Sequence, residues 1–157
     1  MELVLVRHAH AGPHVEPDFD RNLSERGLLE AKNAAQIIKY SNHVPGLWLV
    51  SAAHRTKQTA EVLLEANVAL QKDIRFEFNL YEASGKEYFN LLCQQTEPSI
   101  YLVGHNPSIS YLASYLTNQM IEMGTADIVH LKWDWATNWQ EVSGGTASLI
   151  YHFHGKK

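Results

Sequence analysis

Two kinds of apolar pattern alternate along most of the chain. Short, nearly continuous apolar runs predict strands that are buried on both faces of a sheet. Longer segments with an apolar residue every three or four positions predict amphipathic helices. The predicted strands cover residues 3–6, 47–50, 74–78 and 99–103, and the predicted helices follow residue 24, cover 54–67 and 86–94, and follow residue 106.

The residues at two predicted helix starts support this interpretation. Ser24 is a favourable N-cap, because its hydroxyl can accept a hydrogen bond from a backbone N–H of the first turn. Asn106 and Pro107 predict the start of the last helix, since asparagine suits the cap and proline the first turn. The buried faces are predicted to carry Leu28, Ala31, Ala35 and Ile38 in the first helix, Ala60, Leu63 and Leu64 in the second, and Ile109, Leu112, Ala113 and Leu116 in the last.

The end of the chain has a different pattern. Residues 127–133 and 147–153 read as two further strands, and the turn-forming pair Gly144 and Gly145 precedes the second. Alternating strands and helices predict right-handed crossovers. We therefore expect an α/β fold, a three-layer sandwich with a mainly parallel central sheet and the late strands at one edge. Ligands bind such sheets at the carboxyl ends of the strands, where helix N-termini favour anions.

Size and composition narrow the class of protein. The length of 157 residues predicts one domain over residues 1–157. Its single cysteine, Cys93, excludes an internal disulfide and a zinc ribbon. The apolar runs are shorter than the roughly 20 residues of a membrane span, and the N-terminus has no basic segment of a secretory signal, so we expect a cytoplasmic protein. A formal charge of -4 opposes binding to nucleic acid or to anionic membranes.

Basic residues follow three of the predicted strands. Arg7 and His8 follow the first, His54 and Arg55 follow the second, and His105 follows the fourth. Arginine matches phosphate oxygens in pairs of hydrogen bonds. These segments hold no acid that would neutralise the arginines, so we expect a bound anion. An imidazole beside phosphorus is a potential nucleophile, which predicts phosphoryl transfer through phosphohistidine.

The same segments resemble a known family. The sequence Leu5-Val6-Arg7-His8 and the segments 51–60 and 103–107 are similar to the motifs of the histidine phosphatases, which belong to the phosphoglycerate mutase superfamily. Residues 20–24 and 80–84 are similar to the short bacterial branch, the SixA-type phosphohistidine phosphatases. The resemblance spans nearly the whole chain. It implies a phosphoglycerate mutase-like fold without a lid insertion, and an enzyme that needs neither a metal nor another cofactor.

The resemblance also implies roles for individual residues. His8 attacks phosphorus, and water then hydrolyses the phosphohistidine. The nonbridging oxygens are held by Arg7, Arg21, Arg55 and His105, and Asn106 adjoins the second histidine as a further substrate-binding residue. The positive charge that stabilises the transferring group then comes from the protein itself.

Three positions depart from the family pattern or have an uncertain role within it. His10 stands where relatives more often have lysine or aspartate, and Ala52 where proline is common. Glu82 stands where larger members keep a proton-donating acid and where some short members have none. We treat Glu82 as a candidate catalytic acid. The alternative is that Glu82 is an ordinary exposed carboxylate without a role in the reaction.

Other interpretations of the basic residues stay open at this point. Arg7 and His8 could simply reach solvent at a strand end, and Arg21 could form a solvated ion pair with a neighbouring acid such as Asp18. Pairs such as His152 and His154 could bind a metal, but arginines at the predicted site would repel a cation, and we expect no metal there. These two histidines are expected to be exposed strand positions.

The leading functional hypothesis is a phosphohistidine phosphatase. Its partner would be a phosphorylated protein, such as a histidine phosphotransfer domain, or a small phosphorylated molecule. One alternative is a broad phosphomonoesterase of the same superfamily, in which Glu82 would protonate the leaving alkoxide. The other is a noncatalytic module that binds phosphoanions, against which the presence of both His8 and His105 argues.

Overall fold

The computed structural model describes residues 1–70 and 72–156, which form six strands and four α-helices. The strands are β1 (Glu2–Arg7), β2 (Leu47–Ser51), β3 (Asp73–Glu77), β4 (Ser99–Gly104), β5 (Ile128–Lys132) and β6 (Ser148–Phe153). The helices are α1 (Glu25–Tyr40), α2 (His54–Glu65), α3 (Gly85–Cys93) and α4 (Ser108–Thr117). Their order along the chain is the one that the periodicity predicts, with bounds shifted by one or two residues in most cases.

The strands form one sheet in the order β3-β2-β4-β1-β5-β6. The first four strands in this order are parallel, whereas β5 runs antiparallel to both β1 and β6. The expected mainly parallel sheet with the late strands at one edge is therefore confirmed. In the described part of the chain, no helix is both long enough and apolar enough to cross a membrane.

The sheet is the middle layer of three. On one face, Val4, Trp48 and Tyr101 pack against the apolar sides of α1 and α2. On the other face, Leu5 and Leu102 pack against α3 and α4. Neighbouring residues of a strand point to opposite faces, so a strand buried on both faces must be apolar at nearly every position. This requirement explains the continuous apolar runs that predict the strands.

Two expectations about helices were wrong in detail. Leu28 is 41% exposed, and the buried side of α1 carries Gly27 and Ala34 instead. Gly27 is required there, because a β carbon would lie 2.0 Å from the carbonyl oxygen of His10. Asn106 does not cap α4, which begins at Ser108, because its Oδ1 accepts from the Ser110 hydroxyl instead of a backbone N–H of the first turn, and its amide donates to the Met123 carbonyl.

The register of the sheet brings the ends of three strands together. Arg7, the last residue of β1, pairs with Gly104, the last residue of β4. Val50 of β2 pairs with Val103, so Ser51 lies at the same edge. The residues that follow these strands therefore meet at one crevice, in the position that the α/β topology predicts for a ligand.

Candidate active site

His8 and His105 face each other at this crevice. His8 follows β1, and its backbone N–H donates to the carbonyl of Gly104 at 3.1 Å. His105 follows β4, and the centroids of the two imidazole rings are 5.2 Å apart. A β carbon on Gly104 would lie 2.7 Å from the Tyr88 hydroxyl, which accepts a hydrogen bond from the His105 N–H. Glycine at position 104 thus permits the contact that holds the second histidine.

The hydrogen bond of His8 defines its tautomer. Its Nδ1 lies 2.8 Å from the carbonyl oxygen of Ala9. A carbonyl can only accept, so Nδ1 must carry the proton, which leaves the lone pair on Nε2. The pKa of His8 is lowered to about 4, chiefly by burial, while the Ala9 bond raises it and the nearby Arg55 and Arg7 contribute to the lowering. His8 is therefore neutral at pH 7, with a free Nε2 lone pair.

His105 is held in the neutral state as well. Its pKa is lowered to about 3, with burial as the largest cause and His8 and Arg55 as smaller ones. Its Nε2 lies 2.7 Å from the Ser51 hydroxyl. When Ser51 donates in this bond, Nδ1 of His105 carries the proton and can serve as a hydrogen-bond donor.

An acid lies between two of the arginines, so the expectation that the arginines have no neutralising acid is wrong, and the alternative pairing of Arg21 with Asp18 is present. Asp18, in the loop before α1, accepts from Arg21 at 3.1 Å through Oδ1 and from Arg55 at 3.1 Å through Oδ2. The hydroxyl of Tyr81 also donates to Oδ2 at 2.6 Å. This bond, followed by that of Arg21, holds the pKa of Asp18 well below its usual range. Asp18 therefore stays ionised and orients both guanidinium groups.

Several hydrogen-bonding nitrogens of the site remain unused. Nε of Arg7, Nε of Arg21 and Nδ1 of His105 are buried and have no hydrogen-bond partner within the described residues. Arg7 donates through Nη1 to the carbonyl of Met123 at 3.0 Å. Buried donors without a partner cost free energy, and arginine Nε is always a donor. An oxyanion between these groups would supply the missing acceptors.

The start of α2 adds to the positive character of the crevice. Arg55 belongs to the first turn of this helix, and Ala53 at the N-cap has no side chain that could accept from the free N–H groups. The partial positive charge of a helix N-terminus favours an anion. The structure thus brings Arg7, His8, Arg21, Arg55 and His105 together, as the sequence predicts. Their catalytic roles stay predictions.

The other candidate residues have different positions. Asn106 donates through its amide to the Met123 carbonyl at 2.8 Å, the same oxygen that accepts from Arg7. Glu82 is exposed, in an open groove whose walls include Glu87 and Asn90 of α3. This groove is not the basic crevice, although Glu82 directly follows Tyr81 in the sequence. Within the described part of the chain, no hydrogen bond or ion pair joins Glu82 to a residue of the crevice.

Sequence reasoning did not assign Ser51 or Tyr81 to the site, and it named Asp18 only as a partner of Arg21 and not of Arg55 or Tyr81. Ser51 ends a predicted strand beside the basic segment, a position that could have indicated it. Tyr81 lies in the family-like segment 80–84, and its ring centroid lies 5.8 Å from that of His105. Asp18 gave no periodic signal, because it lies in a short 3-10 turn of an irregular loop.

The arrangement can bind a tetrahedral oxyanion and offer it a nucleophile. Arginine and histidine donors surround the free Nε2 of a neutral imidazole, and no charged carboxylate contacts that imidazole within the described residues. Two groups of one carboxylate and two histidines could hold a metal ion, and neither includes a histidine or arginine of this crevice. They are Glu2 with His43 and His130, and Asp127 with His152 and His154.

Comparisons with known proteins agree with this geometry. The family model described as histidine phosphatase superfamily (branch 1) matches residues 3–94. An uncharacterised chloroplast protein of Arabidopsis thaliana is 28% identical over 151 residues, which cover 88% of this chain and 69% of that protein.

Solved structures show the same fold. A crystal structure of the putative phosphohistidine phosphatase SixA from Agrobacterium tumefaciens is 26% identical, with a TM-score of 0.83 and coverage of 97% of this chain and 96% of that chain. A SixA protein histidine phosphatase solved in complex with tungstate has a TM-score of 0.83 at 20% identity, over 99% of this chain and 98% of that chain. At 20% identity, the similarity to the tungstate complex is evidence for the fold alone.

Proposed function

The chain belongs to the histidine phosphatase superfamily (branch 1), and we propose that it hydrolyses phosphohistidine through a covalent intermediate on His8. The observation that carries this proposal is the state of His8. Its Nδ1–H donates to Ala9, its Nε2 lone pair is free, and the nearby arginines supply the charge that binds a phosphoryl group. Such a neutral imidazole can attack phosphorus without a separate base to remove a proton.

The first step transfers the phosphoryl group to the enzyme. The lone pair of His8 Nε2 forms a bond to phosphorus while the bond to the leaving nitrogen of the substrate breaks, and its electron pair leaves with the substrate imidazole. Because that ring already carries a proton on its other nitrogen, it leaves as neutral imidazole. Arg7, Arg21 and Arg55 stabilise the negative charge on the nonbridging oxygens throughout.

The second step regenerates the enzyme. Water attacks phosphorus, the bond between phosphorus and His8 Nε2 breaks, and the electron pair returns to the imidazole. The protons of the water remain with the phosphate and the solvent, so His8 returns to its neutral form. Nδ1 of His8 keeps its bond to Ala9 in both steps, which preserves the orientation of the ring.

The carboxylates near the site favour a phosphorus–nitrogen bond as the substrate bond. Asp18 contacts the site arginines, but its lowered pKa leaves it without a proton to donate. Glu82 is exposed in a separate groove. An alkoxide leaving group needs a proton from a positioned acid, whereas the imidazole of phosphohistidine does not.

An open site supports hydrolysis over phosphoryl transfer to a second substrate. Between Arg55 and His105, α2, β3, α3 and β4 follow one another with short connections. No helical or extended insertion in the described part of this stretch covers the crevice. A protected intermediate would require a closed site, because closure excludes water. The site can also admit a phosphorylated side chain of another protein, for which a histidine phosphotransfer domain is the proposed partner.

The proposal is tested on one preparation with two classes of substrate. The rate of dephosphorylation of a histidine phosphotransfer domain is compared with phosphate release from a panel of small phosphomonoesters. We expect kcat/KM to be at least about 10-fold higher for the phosphohistidine protein, since only esters require the acid. A preference for the esters would favour the broad phosphomonoesterase instead. A failure to release phosphate from a chromogenic aryl phosphate and from phosphohistidine would favour a binding module.

A further inference from the structure

A group of ionisable side chains lies next to the anion site without belonging to it. Asp127 is nearly fully buried just before β5, and two histidines at the end of β6 approach its carboxylate. Its Oδ2 lies 2.9 Å from Nε2 of His152 and 3.2 Å from Nδ1 of His154. The centroids of the two imidazole rings are 4.0 Å apart. We call these three residues the Asp127 cluster.

One carboxylate oxygen in this cluster has three nitrogens within hydrogen-bond distance. The N–H of Gly124 also donates to Oδ2 of Asp127, at 2.8 Å, so three nitrogens surround that oxygen. A carboxylate oxygen has about two lone-pair sites. A cation placed between Oδ2 and the two imidazole nitrogens would use one lone pair of each and would leave the Gly124 bond in place.

The separations of the carboxylate oxygen from the two imidazole nitrogens are close to those at a zinc site. Tetrahedral zinc with bonds of about 2.0–2.1 Å to nitrogen and oxygen separates neighbouring ligand atoms by about 3.3 Å. The observed separations of 2.9 Å and 3.2 Å differ from this by a few tenths of an ångström. Two imidazoles and one carboxylate are also ligand types that zinc accepts.

The surroundings of the Asp127 cluster are those of a metal site. The second carboxylate oxygen, Oδ1, accepts the N–H of Gly155 at 2.8 Å, so both oxygens are oriented by backbone donors. Such outer partners fix the direction of a metal ligand. The His154 side chain is 45% exposed, which leaves the outer side of the cluster open to water as a further ligand.

A second cluster of the same composition lacks these surroundings. Oε2 of Glu2 lies 2.9 Å from Nε2 of both His43 and His130. The Nδ1 atoms of these two histidines are buried and have no hydrogen-bond partner in residues 1–70 and 72–156. An imidazole that binds a metal through Nε2 carries a proton on Nδ1 and needs an acceptor for it. Metal binding at Glu2 would therefore bury two unpaired donors.

We propose that the Asp127 cluster binds one zinc-type divalent cation through Asp127 Oδ2, His152 Nε2 and His154 Nδ1. The cation links the end of β6 to the segment 123–127, whose Met123 carbonyl accepts hydrogen bonds from Arg7 and Asn106. It stabilises this part of the fold, because an ion that binds only the folded chain shifts the folding equilibrium. The phosphoryl transfer does not pass through it.

Titration of the untagged full-length protein with Zn²⁺ and Co²⁺ tests this site, since an affinity tag of histidines would itself bind metal. We expect one cation per chain and the visible absorption bands of cobalt bound to nitrogen and oxygen. Replacement of either histidine, in His152→Gln or His154→Gln, should weaken cation binding by more than about 100-fold. Loss of a residue that only orients a metal ligand costs at most about 100-fold, so a larger loss indicates a direct ligand. The matched control Glu2→Gln changes the other cluster and should leave binding unchanged.

Two further readouts separate this site from the proposed function. Zn²⁺ should raise the Tm of the wild type and leave that of His154→Gln unchanged, and an exposed residue such as His154 can be replaced without loss of the fold. Hydrolysis of an aryl phosphate should be equal with and without EDTA. Three results would overturn the site. They are no cation binding by the wild type, binding by His152→Gln and His154→Gln that is as tight as that of the wild type, and loss of binding in folded Glu2→Gln. Activity that disappears in EDTA would overturn its separation from the reaction.

Discussion

Two pairs of histidines lie at opposite ends of the central sheet and face opposite charges. At the carboxyl ends of the parallel strands, the rings of His8 and His105 are 5.2 Å apart. Near the amino ends, the rings of His43 and His130 are 4.9 Å apart. The first pair lies among arginines, whereas both rings of the second pair contact the carboxylate of Glu2.

The comparison separates the effect of burial from the effect of charge. The pKa is lowered to about 4 at both His8 and His43. In both places the largest cause is the cost of removing a charged imidazole from water. The neighbouring charges differ in sign, since Arg55 contributes to the lowering at His8 and Glu2 opposes it at His43. Burial thus sets the neutral state, and the neighbours determine whether an anion can bind.

The local structure explains why one pair is available to a ligand and the other is not. His8 follows a strand end, where the start of α2 leaves backbone donors free. His43 instead stacks on the ring of Tyr101, with 5.3 Å between ring centroids, and its Nε2 lies 2.7 Å from the Ser99 hydroxyl. The second pair is therefore a packed polar part of the core.

The largest expected effect comes from removing one histidine of each pair. His8→Ala should reduce kcat by at least about 10⁴-fold, because it removes the nucleophile, and should leave phosphate binding largely intact. His43→Gln is the matched control and should keep near-normal turnover. Rapid quench of the wild type should trap an acid-labile, base-stable phosphoryl group on His8. A label on another residue, or a His8→Ala variant with normal rates, would contradict the mechanism.

The next effect concerns the cations around His8. Arg55→Ala should lower kcat/KM by about 10²- to 10³-fold, the range for the loss of one positioned donor to a developing anion. The exposed arginine of β3 provides the control, and Arg75→Ala should change kcat/KM less than about 2-fold, because screened surface charges contribute little. If the two variants lose equal activity, only the overall charge of the protein matters and the site assignment is wrong.

A smaller effect is expected at Glu82, and it depends on the leaving group. Glu82→Gln should leave phosphohistidine hydrolysis within a few-fold of wild type. Because Glu82 lies in a separate groove, the loss on alkyl phosphates should stay well below the about 10²- to 10⁴-fold that a positioned acid contributes, and a loss of that size on alkyl phosphates alone would identify Glu82 as their acid. The measurement is kcat/KM for both substrates, with the exposed Glu65→Gln as control. Equal large losses on both substrates would show that an acid also assists cleavage of the phosphorus–nitrogen bond.

The smallest expected effect is on stability, and it tests whether burial keeps His43, of the pair His43 and His130, neutral. A histidine with a pKa near 4 when folded and about 6.5 when unfolded binds fewer protons in the folded state. The free energy of unfolding should therefore decrease as the pH falls from about 6.5 to 4, and be insensitive to this group above that range.

Because His43 is well buried, we expect it to contribute about 1 to 3 kcal/mol to this decrease. Denaturant unfolding at several pH values, with wild type and His43→Gln, measures the contribution. The variant should show a shallower decrease between pH 6.5 and 4. Parallel curves for the two proteins would show that Glu2 neutralises the effect of burial.

Much of the fold could be predicted because its signals are local. Strands buried on both faces must be apolar, and each helix must carry apolar residues at intervals close to 3.6, so both patterns can be read over short windows. The error at Leu28 has the same origin. Gly27, Glu30 and Ala34 face the sheet in α1, and small or charged residues at buried positions hide the true face of a helix.

The site was predictable only in part. Arg7, His8, Arg55 and His105 follow strands whose ends must meet at one edge of a parallel sheet, so their proximity follows from topology. Asp18 and Tyr81 lie in irregular segments and meet through a hydrogen bond between residues 63 positions apart. Periodicity carries no information about such a contact.

By itself, the sequence determined the layers, the order of the strands along the chain and the basic crevice. These properties depend on the burial of short apolar segments and on chain topology. Three properties follow instead from contacts that form on folding: the tautomer of His8, the ionised state of Asp18 and the convergence of His152 and His154 on Asp127. A hydrogen bond or a pKa depends on a few atoms within about 3 Å, and distant parts of the chain supply those atoms only after it has folded.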